Sequence, residues 1–597
     1  MVETLAHRGP DNSGILVADG VALGHTRLSI IDVSHTADQP FTSADRRYAI
    51  VYNGELYNYP RLRAELIGDG VAFRTKSDTE VVLNAFIHWG EACLHRFHGM
   101  FAFAVYDFET RRLFGARDRF GIKPFHYSIV NGRLFFASEI KALLRIRSAP
   151  PRVDTRKWVE LLMYREIIAE DLMRGVRTLE PGHSLSLGGG GGGRPGLKRW
   201  FHVSELPDRD YSARLAGMSR NARADELERV LDAAVQSHLI SDVPVGTLCS
   251  GGVDSSLMTA MACKSAPDLR VYHVDMQGRS ERKWAELVAR HLDIELNYYV
   301  LDEEAYLANY IECIYFNDYP LTHPQNGAIY YISSLARQQG CKVLLAGEGA
   351  DEVFGGYDWR HRLRYNYRRF EQATGVFRKI MRKVLFATTG VWAEQFNPRF
   401  SFKAWSDVDT VMAFVCDQNY RRDLEAECRA AYGFIPDPVE REAHAAVTSD
   451  LRDYIGGILH QQDRASMQAS IESRVPFLDV EVARLGANLP LRDKFSWRES
   501  KRLLKQVALR HLPREVVFRP KVGFAGPTSE HVMKLGTRIF DDGFLQEELA
   551  LEPAQVSALL RQDPGSFAHM LYGLEYWGRM FVWGESPAAL KERILGC

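Results

Sequence analysis

The stretch Ser250-Gly251-Gly252-Val253-Asp254-Ser255-Ser256 constrains this chain more than any other. An apolar run, Val243 to Cys249, precedes it, and Leu257 to Cys263 follows, too continuous for a surface loop. The pattern predicts strand, glycine turn and helix. Two adjacent glycines let the backbone pass close to a bulky anion, and the hydroxyls and free N–H groups at the following helix N-terminus then face it. The spacing G-x-x-x-x-G-K-[ST] is absent, so the common lysine-bearing phosphate loop is excluded. Here the loop carries an acid, Asp254. A carboxylate beside a phosphate cradle calls for a divalent cation between them, which suits Mg²⁺ held by carboxylate and phosphate oxygens.

A second stretch repeats the arrangement. Lys342 to Ala346 reads as a short buried strand and runs at once into Gly347-Glu348-Gly349-Ala350-Asp351-Glu352. In an open parallel sheet, ligands gather beyond the carboxyl ends of the strands, so the two loops are expected to face one nucleotide, with Asp254 and Asp351 sharing the metal. Between them, strands at Arg270 to Met276 and Leu296 to Leu301 alternate with a helix near Lys283 to Leu292, which implies parallel strands with right-handed crossovers.

These residues carry a specific resemblance. The S-G-G-x-D-S loop resembles the pyrophosphate loop of ATP-cleaving amidotransferases, and G-E-G-A-D-E-V-F-G-G-Y is similar, nearly letter for letter, to a signature of asparagine synthetases. Arg474-Val475-Pro476-Phe477-Leu478-Asp479 and Arg519-Pro520-Lys521-Val522-Gly523-Phe524 match two further motifs of that family. The resemblance implies ATP and Mg²⁺ as cofactors and amidation of a carboxylate, L-aspartate first among candidates, through an acyl adenylate. It implies that Ser250, Gly251, Gly252, Asp254, Ser255, Ser256, Ala346 and Gly347 bind the nucleotide and that Leu248 and Val274 line the adenine pocket. Glu348 is expected to orient the acceptor or take the ammonia proton. Lys521 is expected to meet the charge that builds on the departing pyrophosphate. Pro476 is expected to end a helix, and Arg474 to pair an acid near the nucleotide. Asn317-Asp318-Tyr319-Pro320-Leu321 stands where many family members have Asp-Glu-Pro, which leaves the acceptor open to a sugar acid or a peptide carboxylate. A non-catalytic homologue is the remaining alternative.

Residues 1 to about 200 read as β-rich, with strand candidates at Gly14–Val17, Val21–Ile31, Tyr48–Tyr52, Met100–Phe108 and Arg133–Ala137, and a helix over Ser77–His88. Together with Arg27-Leu28-Ser29, Tyr52-Asn53-Gly54-Glu55 and Ser77-Asp78, they resemble the family's glutaminase domain, an N-terminal-nucleophile αββα fold. By that resemblance Arg27, Asn53, Gly54, Glu55 and Asp78 bind glutamine, with Asn53 and the Gly54 N–H near the developing oxyanion. The family's nucleophile is an N-terminal cysteine on the domain's first strand. This sequence begins at Met1, in what the family would make the helix before His7, so glutamine hydrolysis is expected to fail and free ammonia to serve the chain as written. A misassigned start codon would give the same text, and the retained glutamine-binding residues favour it. Cys93 reads as a small buried residue and not as a substitute nucleophile. The six glycines Gly188 to Gly193 read as a flexible hairpin tip. The expected division is a glutaminase-type domain over 1–200 and a parallel-sheet α/β synthetase domain over 215–597.

Composition excludes other classes. Lys plus Arg total 75 against 76 Asp plus Glu, so no overall field draws the chain to nucleic acid or membrane. The basic run between Asp358 and Lys383 is read as a solvated helical face. The eight cysteines are scattered without metal-ligand spacing and read as reduced thiols. With no apolar leader, the expectation is a cytoplasmic enzyme acting on small molecules (aspartate or another carboxylate, glutamine or ammonia), with a homodimer left open.

Overall fold

The computed structural model describes residues 1–18, 20–147, 151–154, 157, 172–188, 194–276, 280–321, 324–372, 419–520, 532–562 and 564–595. Its N-terminal part is antiparallel. Strands β1 (Asn12–Ala18) and β2 (Val21–Arg27) form a hairpin; β3 (Phe41–Thr42), β4 (Tyr48–Leu56), β5 (Gly99–Asp107) and β6 (Arg112–Arg117) follow. Then come β7 (His126–Val130), β8 (Arg133–Ala137), β9 (Val176–Thr178), β10 (His183–Leu187) and β11 (Gly196–Arg199). The main sheet has the order β11-β10-β6-β5-β4-β3, while β8-β7-β9 and the β1-β2 hairpin are separate sheets.

Alternation decides how these layers stack. From β4 and β5, Ala49, Val51, Ala102 and Ala104 point to one face, where they pack with Leu23, Phe125 and Tyr127 of the smaller sheets. From the other face Ile50, Tyr52, Phe101 and Phe103 pack with Leu62 and Leu66 of the helix Tyr59–Gly68 and Val81 and Val82 of the helix Asp78–Trp89. The helix Ile140–Leu144 lies against β7 and β8 on the far side. The layers are therefore helix, sheet, sheet, helix. Ser77 caps the second helix, its Oγ accepting the Glu80 N–H, at the start of the segment expected to be helical.

The C-terminal part is built on a parallel sheet of β12 (Val245–Leu248), β13 (Arg270–Met276), β14 (Leu296–Leu301), β15 (Val343–Leu345) and β16 (Glu472–Arg474), in the order β14-β13-β12-β15-β16. The chain winds outward from β12 through β14, then returns to the other side of β12 as β15. The loops after β12 and β15 thus diverge at the point where strand order reverses, where α/β sheets bind ligands.

Strand β16 corrects an expectation. The segment before Pro476 is a buried strand and not a helix, the preceding helix Ile455–Gln468 having already stopped, and Pro476 opens a short 3-10 turn over Pro476–Leu478. Pro fits there because the first helical N–H has no partner to lose.

The two parts meet across a layer of buried charge. Arg8 bonds Glu139 at 3.0 Å and Asp463 at 2.9 Å. Arg464 lies 3.2 Å from both Glu139 and Asp318, and Lys141 reaches Asp318 at 3.0 Å. Asp318 also accepts the Ile140 N–H at 2.7 Å, while its own carbonyl accepts the Trp577 indole N–H at 2.8 Å. The Asn317–Leu321 departure is therefore a structural hinge-pin between the parts: Asp318 is fully buried in these contacts, and Asn317 bonds the Tyr319 carbonyl and Asn326.

Strands β10 and β11 pair as the expected hairpin, Ser186 opposite Gly196, with its tip outside the described residues. The basic run is described up to 372. Several of its arginines also pair with acids: Arg360 with Asp450, Arg364 with Glu425 and Glu442, and Arg369 with Asp437 and Glu440. No described helix is long and apolar enough to cross a membrane.

Candidate active site

The loop after β12 is held ready by its own hydroxyls. Ser255 Oγ accepts the Ser250 N–H at 3.1 Å and sits 3.0 Å from Ser250 Oγ, which in turn accepts the Gly252 N–H at 3.3 Å. Gly251 has φ +72°, and a Cβ there would meet the Ala285 N at 2.6 Å, so only glycine allows this turn. The helix Val253–Ser265 then begins with Asp254 in its first turn. Ser256 is fully buried beneath it, 3.9 Å from the Cys249 sulfur.

The loop after β15 lies alongside. Because β12 and β15 pair in parallel, with Thr247 opposite Leu345, Leu248 and Ala346 end neighbouring strands. A Cβ on Gly347 would meet the Ser255 N at 3.2 Å, so the two loops touch. Val274 is two residues beyond Tyr272, which lies opposite Leu248, and is buried. The predicted nucleotide residues therefore share one end of the sheet.

Asp254 and Asp351 converge as predicted, but on a side chain that sequence reasoning missed. Lys501 Nζ lies 2.6 Å from Asp254 Oδ2 and 2.7 Å from Asp351 Oδ1. Asp254 Oδ1 is shielded and has no hydrogen-bond partner. Two carboxylates, one with an orphaned oxygen, fit Mg²⁺, which takes one or two carboxylates and completes its shell with phosphate and water.

Glu348 lies beside this pair. Burial, with the Asp254 and Asp351 charges, pushes its carboxyl up to about 7, and its Oε2 has no partner. Such a group can hold or accept a proton near neutral pH. Arg519 is a second missed residue: its guanidinium bonds Glu281 and would stand 3.5 Å from a Cβ on Gly252. Its Arg-Pro-Lys motif was legible, its reach to the phosphate loop was not. Lys521 lies outside the described residues.

In the N-terminal part, β4 and the start of the helix Asp78–Trp89 bring four of the five predicted glutamine residues together. Asp78 accepts the Tyr52 hydroxyl at 2.8 Å and the Leu56 N–H at 3.1 Å. Burial raises its carboxyl to about 6. Glu55 is also buried and raised by burial and by the Asp78 charge, and its Oε1 is without a partner. Asn53 Nδ2 faces Ser138 Oγ at 3.5 Å. Gly54 admits no side chain, since a Cβ would stand 2.2 Å from the Met100 carbonyl oxygen. Arg27 is turned to Asp38 at 2.7 Å and to the carbonyls of Ser34 and Ile31. Cys93 is fully buried, and burial pushes its thiol up, away from nucleophilic character.

Arg474 departs from its expected place. It pairs Glu472 at 2.9 Å and Glu55 at 2.7 Å, away from Asp254 and Asp351. As the last residue of β16, it reaches Glu55 of β4 across the seam.

Comparison with known proteins decides the family. An asparagine synthase family model matches residues 226–582, and a glutamine amidotransferase domain model matches residues 1–195. The chain belongs to the asparagine synthase family. It is 31% identical over 544 residues to asparagine synthetase [glutamine-hydrolyzing] 1 of Bacillus subtilis, spanning 88% of this chain and 83% of that one. It is 27% identical to amidase chry2 of Gibberella zeae, spanning 88% and 84%. Asparagine synthetase B [glutamine-hydrolyzing] of Escherichia coli is 33% identical over 376 residues, 60% of this chain and 61% of that one. This asparagine synthase-family chain is an ATP-dependent amidotransferase, a carbon–nitrogen ligase.

Proposed function

We propose that the chain amidates L-aspartate through an acyl adenylate, releasing AMP and pyrophosphate. The observation that carries this reading is the meeting of Asp254, Asp351 and Glu348 at the carboxyl ends of two adjacent parallel strands. The Ser250–Ser256 loop would bind the phosphates, and Asp254 and Asp351 would hold Mg²⁺, which when bound neutralises phosphate charge. The acceptor carboxylate attacks the α-phosphorus, and ammonia then attacks the activated carbonyl carbon and displaces AMP. Glu348 would take the proton that the nitrogen must lose, a role suited to a carboxyl poised near neutral pH. Lys501, and by resemblance Lys521, would balance the charge that leaves with pyrophosphate. The pocket of Asn53, Gly54, Glu55 and Asp78 would take glutamine, the buried acids facing its ammonium group.

A second reading keeps the chemistry and changes the acceptor. The amidase-named relative supports it, and so does the Asn317–Leu321 departure from the family pattern, within which Asp318 makes buried contacts. Pyrophosphate release with MgATP and ammonium, with and without aspartate, and again with glutamine for ammonium, separates the readings. Aspartate-dependent release supports the first. Release that ignores aspartate but responds to another carboxylate supports the second.

A further inference from the structure

The phosphate loop leaves the parallel sheet at Cys249, and a side chain of the neighbouring strand holds it there. Strand β12 ends at Leu248, which pairs with Tyr272 of β13. One residue on, the Cys249 N–H still donates to the Tyr272 carbonyl at 2.8 Å. The Cys249 carbonyl is the last one before the turn begins, and His273 Nδ1 lies 3.0 Å from it. Cys249 is 1% exposed, so water does not serve that carbonyl, and a buried carbonyl left without a donor is costly.

This bond fixes the state of the ring. A carbonyl only accepts, so Nδ1 carries the proton. Burial lowers the pKa of His273, which keeps the ring neutral and makes Nε2 a bare acceptor. Among the described residues Nε2 has no hydrogen-bond partner. The imidazole is therefore held to the loop by one nitrogen. Alternation along β13 also says from which side. Val271, on the same face as His273, packs with Leu257 and Val288, whereas Tyr272 and Val274 pack on the other face with Tyr306 and Tyr310. His273 grips the loop from the face opposite Val274, so it places the loop and does not line the expected adenine pocket. Immediately beyond Cys249, the Ser250 N–H turns to Ser255 Oγ at 3.1 Å and Gly251 takes φ +72°, so the Cys249 peptide sets the direction in which the loop starts.

We propose that His273 is a positioning residue for the nucleotide, its Nδ1–H holding the Cys249 carbonyl so that the Ser250–Ser256 loop leaves β12 in the orientation that receives the phosphates. This rests on the reading of that loop as the phosphate site. A carbonyl that loses its donor turns toward another one, and the loop N–H groups, joined to it through one peptide, turn with it.

The test compares two amides of different reach. Asparagine at 273 can set its Nδ2 where the ring Nδ1 stands, while glutamine carries its amide farther out, toward the place of the ring Nε2, and leaves the Cys249 carbonyl unpaired. Calorimetry with Mg²⁺ and a non-hydrolysable ATP analogue gives the Kd, and pyrophosphate release gives KM for ATP and for ammonium, all well below the melting temperature of each variant. His273→Gln should raise the Kd of the analogue and the KM for ATP by about tenfold or more. The KM for ammonium should stay within about twofold, a split that a general loss of fold would not produce. His273→Asn should bring the ATP values back to within about threefold of wild type. His273→Leu, of similar bulk and without a donor, should behave like the glutamine variant and serves in its place if that chain does not fold. A folded glutamine or leucine variant that binds the analogue as tightly as wild type overturns the proposal. Equal impairment of the asparagine and glutamine variants overturns it too, because the ring would then only fill space. A wild-type chain that does not bind the analogue overturns the reading of the loop itself, and the proposal with it.

Discussion

Lys501 Nζ stands 2.6 Å from Asp254 Oδ2, and the same ammonium is shared with Asp351. The two acids are therefore bridged by a protein cation at the place where the nucleotide's metal is proposed to sit. Asp254→Asn keeps the shape and removes the charge. It should cut pyrophosphate release by about a hundredfold or more while the fold is kept. Turnover like that of the wild type would sink the metal assignment.

Lys501→Met leaves Asp254 and Asp351 facing each other without compensation. Removing one member of a buried charge cluster costs about 3–5 kcal/mol, so Tm should fall. Added Mg²⁺ should raise Tm further in this variant than in the wild type, because the divalent ion no longer competes with an ammonium. Equal Mg²⁺ shifts in thermal melts of both proteins would argue against a shared site.

Glu348, as the proposed base, should make stability and turnover depend on pH in opposite senses. Its folded carboxyl is raised to about 7 from 4.5, so the folded state binds the extra proton between those values, and this contribution to stability is lost as pH rises through about 7. Turnover, corrected for the concentration of free ammonia, should instead rise over the same range as the base ionises. Glu348→Gln should abolish the rise and remove the stability loss. A variant whose melting profile against pH overlays the wild type would contradict the assignment.

Cys93 is buried in the helical layer of the N-terminal part. Cys93→Ala should cost about 1 kcal/mol of stability and leave pyrophosphate release unchanged with either nitrogen donor. Loss of a glutamine-dependent rate alone, with the ammonium-dependent rate kept, would reinstate the thiol as a nucleophile.

Asp318→Ala would leave Lys141 and Arg464 to share the one carboxylate of Glu139 inside the protein. Its expected cost is about 3–5 kcal/mol, seen as a lower urea midpoint. A change in acceptor preference at unchanged stability would return this segment to the acceptor pocket.

The phosphate end of the parallel sheet was legible because glycine and acid follow apolar strands, a local pattern that the backbone itself requires. Lys501 was not, since its partners Asp254 and Asp351 lie far away in sequence and nothing in its neighbours marks it. Strand β16 escaped for a different reason. Its sequence, Glu472-Ser473-Arg474, is wholly polar and reads as the end of a helix, yet all three residues form a buried strand in which Glu472 meets Lys123, Ser473 meets Gln462 and Arg474 meets Glu55. The N-terminal layers were readable from alternation, but the turning of Arg27 toward Asp38 depends on loop residues that carry no periodic signal.

The charged layer between the halves has a consequence for modularity. A greasy seam can be covered by a few polar substitutions; Arg8, Glu139, Lys141, Asp318, Asp463 and Arg464 cannot be so treated, because each lies buried against partners contributed from across the seam. Excising either half would leave ions in an interior that no longer neutralises them. Shuffling a different nitrogen-donor half onto this synthetase half should therefore require transplanting the whole ionic layer with it.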